Sequence, residues 1–291
     1  MDRALYRRLS NYLFVGLTAI ATLIALTALV LILWSLLSKG LGGIDAKIFT
    51  MTQPAPGSEG GLASLHVSFG FALVGAIVGE FLGAREGMGL LIAVVIGVLA
   101  GTWLSEYGGS SPYGAAVRFL NDVLLSAPSI LIGLFVYEIM VRPFQGFSAI
   151  AGAVALAIIA MPIVTRTTED ILSLQPSALR EAGMALGASR AFVIRKVVWK
   201  SARAGLITGA LLGFARISGE TAPLLFTALG NQFFSVDPTQ PMASLPTTIF
   251  QFALSAYEDW QRLAWVGALL IAVAVLSINI IGRVVAREAR R

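Results

Sequence analysis

Residues 180–203 read REAGMALGASRAFVIRKVVWKSAR. The stretch carries six basic residues and one acidic one, and it lies between long apolar runs. A basic amphipathic segment in that setting has two physical readings. It can lie on lipid headgroups, with Lys and Arg against anionic lipid and Ala, Leu, Phe and Val in the interface. Alternatively it stands on the cytoplasmic side as a docking helix for another protein. Gly187 allows a tight backbone turn, and the residues before it present a small-residue face that a partner can approach closely.

The surrounding sequence is apolar enough to place this segment at a membrane. Hydrophobic residues make up 57% of the 291 residues, charged residues 13%, and the mean hydropathy is +0.82. Soluble domains hold roughly 45–50% apolar residues. Apolar runs fall at 11–37, 66–104, 120–141, 147–164, 204–229 and 263–282. These lengths predict an all-α, polytopic membrane protein with about six transmembrane helices, forming a single transmembrane domain over 1–291. The first run is too long for the apolar part of a signal peptide, roughly 7–15 residues, and reads as a retained span. The second run is nearly twice the roughly 20 residues that one crossing needs. Glu80, Arg85 and Glu86 interrupt it, and Gly75, Gly79, Gly83 and Gly87 recur along one helix face.

Charge placement sets orientation. The net charge of +5 and pI of about 9.8 could indicate nucleic acid, but the basic residues cluster at the ends of apolar runs, as the positive-inside rule requires. Membrane lipid, not nucleic acid, is the expected contact. Arg3, Arg7 and Arg8 at the N-terminus, the 180–203 segment, and Arg283, Arg287, Arg290 and Arg291 then all face the cytoplasm. Four spans must precede residue 180, so 66–104 supplies one crossing ending near Trp103, with 66–87 as an additional interfacial or re-entrant helix or a helical extension. Residues 38–65 and 230–260 read as external loops, the second with a short amphipathic helix. His66, Tyr257 and Trp260 read as headgroup-level anchors or loop packing.

Several kinds of chemistry are excluded. With no cysteine and one histidine there is no disulfide framework and no His or Cys metal cluster. No G-x-x-x-x-G-K-[ST] loop occurs, so ATP and Mg belong to a separate polypeptide, and no cofactor is expected on this chain. A membrane-embedded enzyme would have only carboxylates to work with, and no close pair falls within a span.

One apolar run contains charge. Arg216 and Glu220 lie four residues apart in FARISGETAPLLFTALG (214–230), a spacing that puts both on one helix face. A charge at the bilayer centre costs roughly 2.5–3.5 kcal/mol on insertion scales, so both should face the bundle interior or a wet path. They form either a structural ion pair or an anion site, in which Arg216 offers planar donors to an oxyanion and Glu220 holds or competes for it. Arg166, near the end of the fourth run, is either a positive-inside anchor or a lining group at the inner end of the same path. Pro128, Pro162 and Pro223 fall in or near spans and permit kinks, and Gly209 and Gly213 mark a close-packing face in span five.

Glu181, Ala182, Gly183 and Gly187 are similar to the EAA-x-x-x-G signature of ABC importer permeases, whose membrane subunits insert a short coupling helix, here about 179–196, into a cleft on an ATPase subunit. The runs PSILIGLFVY (128–137), MPIVTRTTEDIL (161–172), LREAGMALGAS (179–189) and ARISGETAPLLFTALGNQF (215–233) resemble the A subunit of bacterial Pst-type phosphate importers. The resemblance covers about residues 105–285. It implies a type I ABC importer permease fold in the bacterial inner membrane and a non-catalytic role in phosphate import. It also implies a heterodimer with a paralogous permease, an ATPase dimer that binds ATP and Mg, and an extracytoplasmic phosphate-binding protein. The family's intramembrane charged residues map to Arg216, Glu220 and Arg166. Two departures stand out. Val197, Trp199 and Lys200 replace an I-x-L-P ending, and GFALVGAIVGEFLGAREGMGLLI (70–92) looks like a nitrate or sulfonate permease segment. Another oxyanion, or a scaffold without transport, are therefore the rival readings.

Overall fold

The structure, a computed structural model, describes residues 3–45, 48, 51, 61, 62, 84–231 and 237–288. All regular elements among these residues are helical. Apart from a three-residue turn of helix at Arg142–Phe144, they are in chain order α1 (Arg3–Leu41), α2 (Ala84–Trp103), α3 (Pro112–Ser126), α4 (Ser129–Val136), α5 (Ala149–Ser173), α6 (Ser177–Ala185), α7 (Arg190–Val193), α8 (Trp199–Ile217), α9 (Ala222–Thr227), α10 (Leu245–Ala253) and α11 (Glu258–Glu288). Wider π turns follow α2 at Leu104–Gly108, α4 at Tyr137–Val141 and α7 at Ile194–Val198.

Among the described residues four helices are long and apolar enough to cross a bilayer, or five when the bent pair Pro112–Ser126 and Ser129–Phe144 counts as one span. The sequence predicts about six. Two predicted spans are not single helices. The third bends by 102° at Ala127 and Pro128, because the proline ring excludes the helical region for the residue before it. Ala127 is accordingly extended, with φ −65° and ψ 132°. In the fifth, helix α8 stops at Ile217, and a new helix starts with Pro223 in its first turn, where the missing N–H costs nothing. The second crossing ends where expected, with Trp103 leading into the π turn. Residues 63–83, which hold His66, Gly75, Gly79, Glu80 and Gly83, lie outside the described residues.

Helix α5 is the centre of the bundle. Its Ala155, Leu156, Ala160 and Val164 are fully buried. Helix α2 runs parallel to it and approaches through glycines. A Cβ at Gly89 would lie 2.7 Å from the Ala153 carbonyl, at Gly97 2.8 Å from Val164 Cβ, and at Gly101 2.5 Å from the Thr165 carbonyl. Helix α8 packs antiparallel on another side, with Gly205 against Ile171, Gly209 against Thr167 and Gly213 against Val164. Gly209 and Gly213 thus form the close-packing face that the sequence predicts. Small residues let backbones approach where lipid removes the usual apolar driving force. The two interrupted spans meet each other, since a Cβ at Gly133 of α4 would lie 2.6 Å from Pro223 Cα of α9.

The bundle is closed at the end opposite α6. Helix α10 begins with a capping box between Ser244 and Thr247 and packs Leu245 and Phe252 on Leu263 and Val266 of α11. Ile48 and Leu62 join the same cluster. Trp260 stacks between Phe252 and Tyr257, at 4.7 and 5.8 Å, so it is loop packing. Residues 237–240 seal the start of α5, whose Ala149 and Ile150 amides donate to the carbonyls of Gln240 and Pro238, both at 3.1 Å. Asp237 Oδ1 shapes this turn by accepting from the Thr239 hydroxyl at 2.7 Å and amide at 2.9 Å. The hydroxyl first, then the amide, holds the Asp237 carboxyl below its usual pKa.

Two outcomes follow. Gly101→Leu forces a side chain into the α5 backbone and lowers the detergent melting temperature of the purified protein, with an overpacking cost of about 1–3 kcal/mol or more; Gly109→Ala, tested alongside it, has open space around it but a positive φ and costs less. Because the Asp237 carboxyl titrates below its unfolded value, its contribution is present above the ordinary carboxylate range near pH ~4 and is lost as pH falls through the lower folded value. Hydrogen exchange at Ala149 and Ile150, corrected for intrinsic rates, stays slow down to that range and accelerates below it, whereas Asp237→Ala accelerates it already at neutral pH.

Candidate functional site

The basic segment is not one helix. Helix α6 ends at Ala185, and the chain turns back at Gly187, whose φ of +81° is left-handed. The amides of Gly187 and Ala188 bond back to the Met184 and Gly183 carbonyls at 2.9 and 3.4 Å, a capped helix end that suits glycine. Ser189 then caps α7, accepting from the Phe192 amide at 3.4 Å. From Arg190 the chain stays helical through the π turn into α8, so the second half of the predicted 179–196 helix is the start of the next span. Basic residues stand on both sides of the Gly187 turn, at Arg180 and from Arg190 onward, which is why the segment reads as continuous.

The turn folds α6 against α7. A Cβ at Gly183 would lie 2.8 Å from Val193, so the small residue at this position serves contact within the chain. Val193 and Val198 pack with Leu172 and Ala202 beneath it. Glu181 and Ala182 remain exposed, as does Met184, and Leu186 is 88% exposed. Two apolar side chains, Met184 and Leu186, are thus left open beside the exposed Glu181 carboxylate on a short, anchored helix.

Two arginines anchor this end through carboxylates that sequence reasoning did not pair with them. Arg180 of α6 meets Glu106 in the π turn after α2, with Nε 3.0 Å from both carboxylate oxygens and Nη2 2.6 Å from Oε1. The Glu106 side chain is 2% exposed. Removing one partner of such a buried pair costs about 3–5 kcal/mol. Arg118 of α3 meets Glu169 of α5 at 2.5 Å and also donates to the carbonyls of Gly109 and Leu104. The available signal was a carboxylate just beyond an apolar run, Glu106 by itself and Glu169 beside Asp170, where an unpaired charge is costly.

The predicted path residues separate into two groups. Arg216, in the last turn of α8, pairs through Nη1 with Glu220 Oε1. Glu220 lies beyond the helix end, in the break before α9, and its amide donates to the Ile217 carbonyl at 3.1 Å. The i,i+4 contact therefore forms across a helix terminus. Glu220 is buried at 5%, while the Arg216 side chain is 49% exposed. Arg166 stands apart on α5, 3.5 Å from Asp170 and 4.0 Å from Asp122 of α3, with all three side chains about half exposed. The Gly209–Thr167 register puts Arg166 roughly six residues, or ~9 Å along the axis, from the level of Arg216. Among the described residues no group of three His, Cys, Asp or Glu side chains could hold a metal.

This bundle has the fold of ABC importer permeases. It overlays a chain of the inward-facing MetNI methionine ABC transporter with a TM-score of 0.60 at 21% identity, covering 76% of this chain and 97% of that one. Residues 93–291 match the family described as binding-protein-dependent transport system inner membrane component, and the chain belongs to that family. It is 48% identical over 281 residues to the phosphate transport system permease protein PstA of Haemophilus influenzae, covering 97% of this chain and 95% of that protein. The probable counterpart from Methanocaldococcus jannaschii is 36% identical over 273 residues, 94% of this chain and 92% of that one. Residues 70–92 fall inside the stretch matched to the first of these.

Gly187→Ala meets no steric obstacle, since nothing lies within 4 Å of the added carbon, so its cost is the left-handed backbone alone, about 1–2 kcal/mol. The variant re-aims α6 and lowers ATP-driven uptake in vesicles. Gly187→Asn, which tolerates that conformation better, retains more activity than Ala.

Proposed function

We propose that this chain is a membrane permease subunit of an ATP-driven importer of inorganic phosphate, a single permease domain of the type I kind. The cargo assignment rests on one observation: a half-exposed guanidinium held by a buried carboxylate at a helix break, in a chain 48% identical over nearly its whole length to a protein named for phosphate transport. A guanidinium half exposed on an isolated subunit does not face lipid, because hydrocarbon penalises it strongly. It faces a wet path or a partner subunit. Arg216 presents forked donors to a tetrahedral oxyanion, and Glu220 supplies a competing acceptor that keeps binding weak enough for release. Arg166, paired with Asp122 and Asp170, lines the inner end of the path.

Directions of the described helices support six membrane segments: α1, α2, the bent α3 and α4, α5, α8 with α9, and α11. An even number puts both termini on one face, which the basic residues at each end make the cytoplasmic face of the inner membrane, together with α6 and its exposed Glu181, Ala182 and Leu186. There an ATPase dimer docks at the segment containing Glu181, Ala182, Gly183 and Gly187 and supplies the ATP and Mg chemistry. A paralogous permease completes the path, and a phosphate-binding protein delivers cargo at the α10 end. Relatives named as phosphate permeases support this assembly.

The test is uptake of labelled phosphate into vesicles holding the chain with its partner permease, ATPase and binding protein, with sulfonate and nitrate as competitors. Uptake is blocked by phosphate alone. The double change Arg216→Met with Glu220→Leu keeps the complex assembled yet lowers uptake by roughly tenfold or more, the factor that about 1.4 kcal/mol represents. Unchanged uptake would make the pair purely structural, and competition by sulfonate or nitrate would reassign the cargo.

A further inference from the structure

The Glu106 node joins more of the molecule than any other polar contact at the coupling end. All five donor hydrogens of the Arg180 guanidinium have acceptors. Nε and Nη2 take the Glu106 carboxylate, Nη2 also reaches the Leu172 carbonyl at 2.8 Å, and Nη1 reaches the carbonyls of Gln175 at 2.8 Å and Pro176 at 3.4 Å. One side chain of α6 therefore ties the end of α2 to the end of α5. The Glu106 carbonyl in turn accepts from Arg190 Nη2 of α7, whose guanidinium lies 4.5 Å over the Tyr107 ring. One turn earlier in α2, Thr102 Oγ1 accepts from Trp199 Nε1 of α8 at 3.1 Å. The terminus of α2 is thus held by α6, α7 and α8 at once.

We propose that the Glu106–Arg180 pair, seconded by Arg190, is the strut that carries motion from the docked α6 into the membrane helices, so that α6 and the ends of α2 and α5 move as one body. This rests on the reading of the chain as an ATPase-coupled permease and does not depend on which anion it carries. The physical reason is desolvation. The Glu106 carboxylate is almost wholly buried, and sliding α6 past α2 would strand it without a partner or water. Shear at this contact is disfavoured, and a push on α6 is passed on. The Arg166 pairs, half exposed and at 3.5 and 4.0 Å, have water as an alternative partner and cannot act this way. Glu106 and Arg180 are positioning residues, since neither reaches the exposed docking face formed by Glu181, Ala182 and Leu186.

The test uses the full complex of chain, partner permease, ATPase and binding protein. Glu106→Gln keeps the shape and removes the charge. The expected result is normal assembly and basal ATP hydrolysis, with uptake per ATP hydrolysed reduced by roughly tenfold, within the range that changes along coupling networks produce. Glu106→Asp, which keeps the charge, recovers part of the loss. An unchanged uptake-to-hydrolysis ratio in assembled Glu106→Gln would overturn the proposal. A second measurement needs no destabilising variant. The chain has no cysteine, so Ser110→Cys and Ala178→Cys, both exposed, can carry spin labels across the node in complexes whose partners lack cysteine. The label distance stays the same between nucleotide-free and ATP-trapped states, and a shift between them would show that α6 moves relative to α2 and end the proposal. If only the phosphate assignment fails, that distance still holds while labelled phosphate is not taken up.

Discussion

Helices dissolved in lipid gain little from burying apolar side chains against one another, because lipid tails are equally apolar. What holds this bundle is the close approach of backbones around α5. Gly89, Gly97 and Gly101 bring α2 onto one side, and Gly205, Gly209 and Gly213 bring α8 onto another. The distances leave no room for a Cβ at several of these positions, so dispersion contacts accumulate along whole helix faces. Everything functional is placed relative to that three-helix core. The coupling end is the lower terminus of α2 and α5, and the charged break is the upper terminus of α8.

Interruptions in the helices are as informative as the packing. Pro128 splits one predicted span and the residues around Gly219 and Pro223 split another, and the two resulting short helices meet where Gly133 touches Pro223. A break exposes backbone carbonyls and amides that lipid cannot satisfy, so it is tolerated only against protein or water. Glu220 occupies such a break, buried, with its carboxylate engaged by Arg216. The site is therefore made of a helix terminus plus a charge pair, not of two charges on one helical face.

At the other end, polar contacts replace glycine packing. Arg118 and Arg180 each join a buried or half-buried carboxylate to backbone carbonyls at the ends of α2 and α5. These carbonyls lie at helix termini, where intrahelical donors run out, and one arginine engages several of them at once. Structural sealing and mechanical connection are here the same contacts. That explains how a nine-residue helix, α6, can be anchored firmly while Leu186 and Glu181 stay open.

The sequence by itself determined the membrane class, the presence of apolar spans at α1, α5 and α11, the tight turn that Gly187 allows, the packing face of Gly209 and Gly213, and the Arg216–Glu220 pair. These follow from local quantities: apolar length, residue size, the conformational freedom of glycine, and i,i+4 spacing. Pro128, Pro223 and Gly187 marked where the chain could turn, but the structure decided that it does so there, splitting 120–141, 204–229 and 179–196, and tertiary structure alone decided that Arg166 stands with Asp122 and Asp170 and that Glu106 belongs to Arg180. Seventy-four residues separate that last pair. Helical periodicity relates a charge to neighbours three or four places away, whereas the cost of burying a charge is met by whichever partner the packing of α2 on α5 brings within reach.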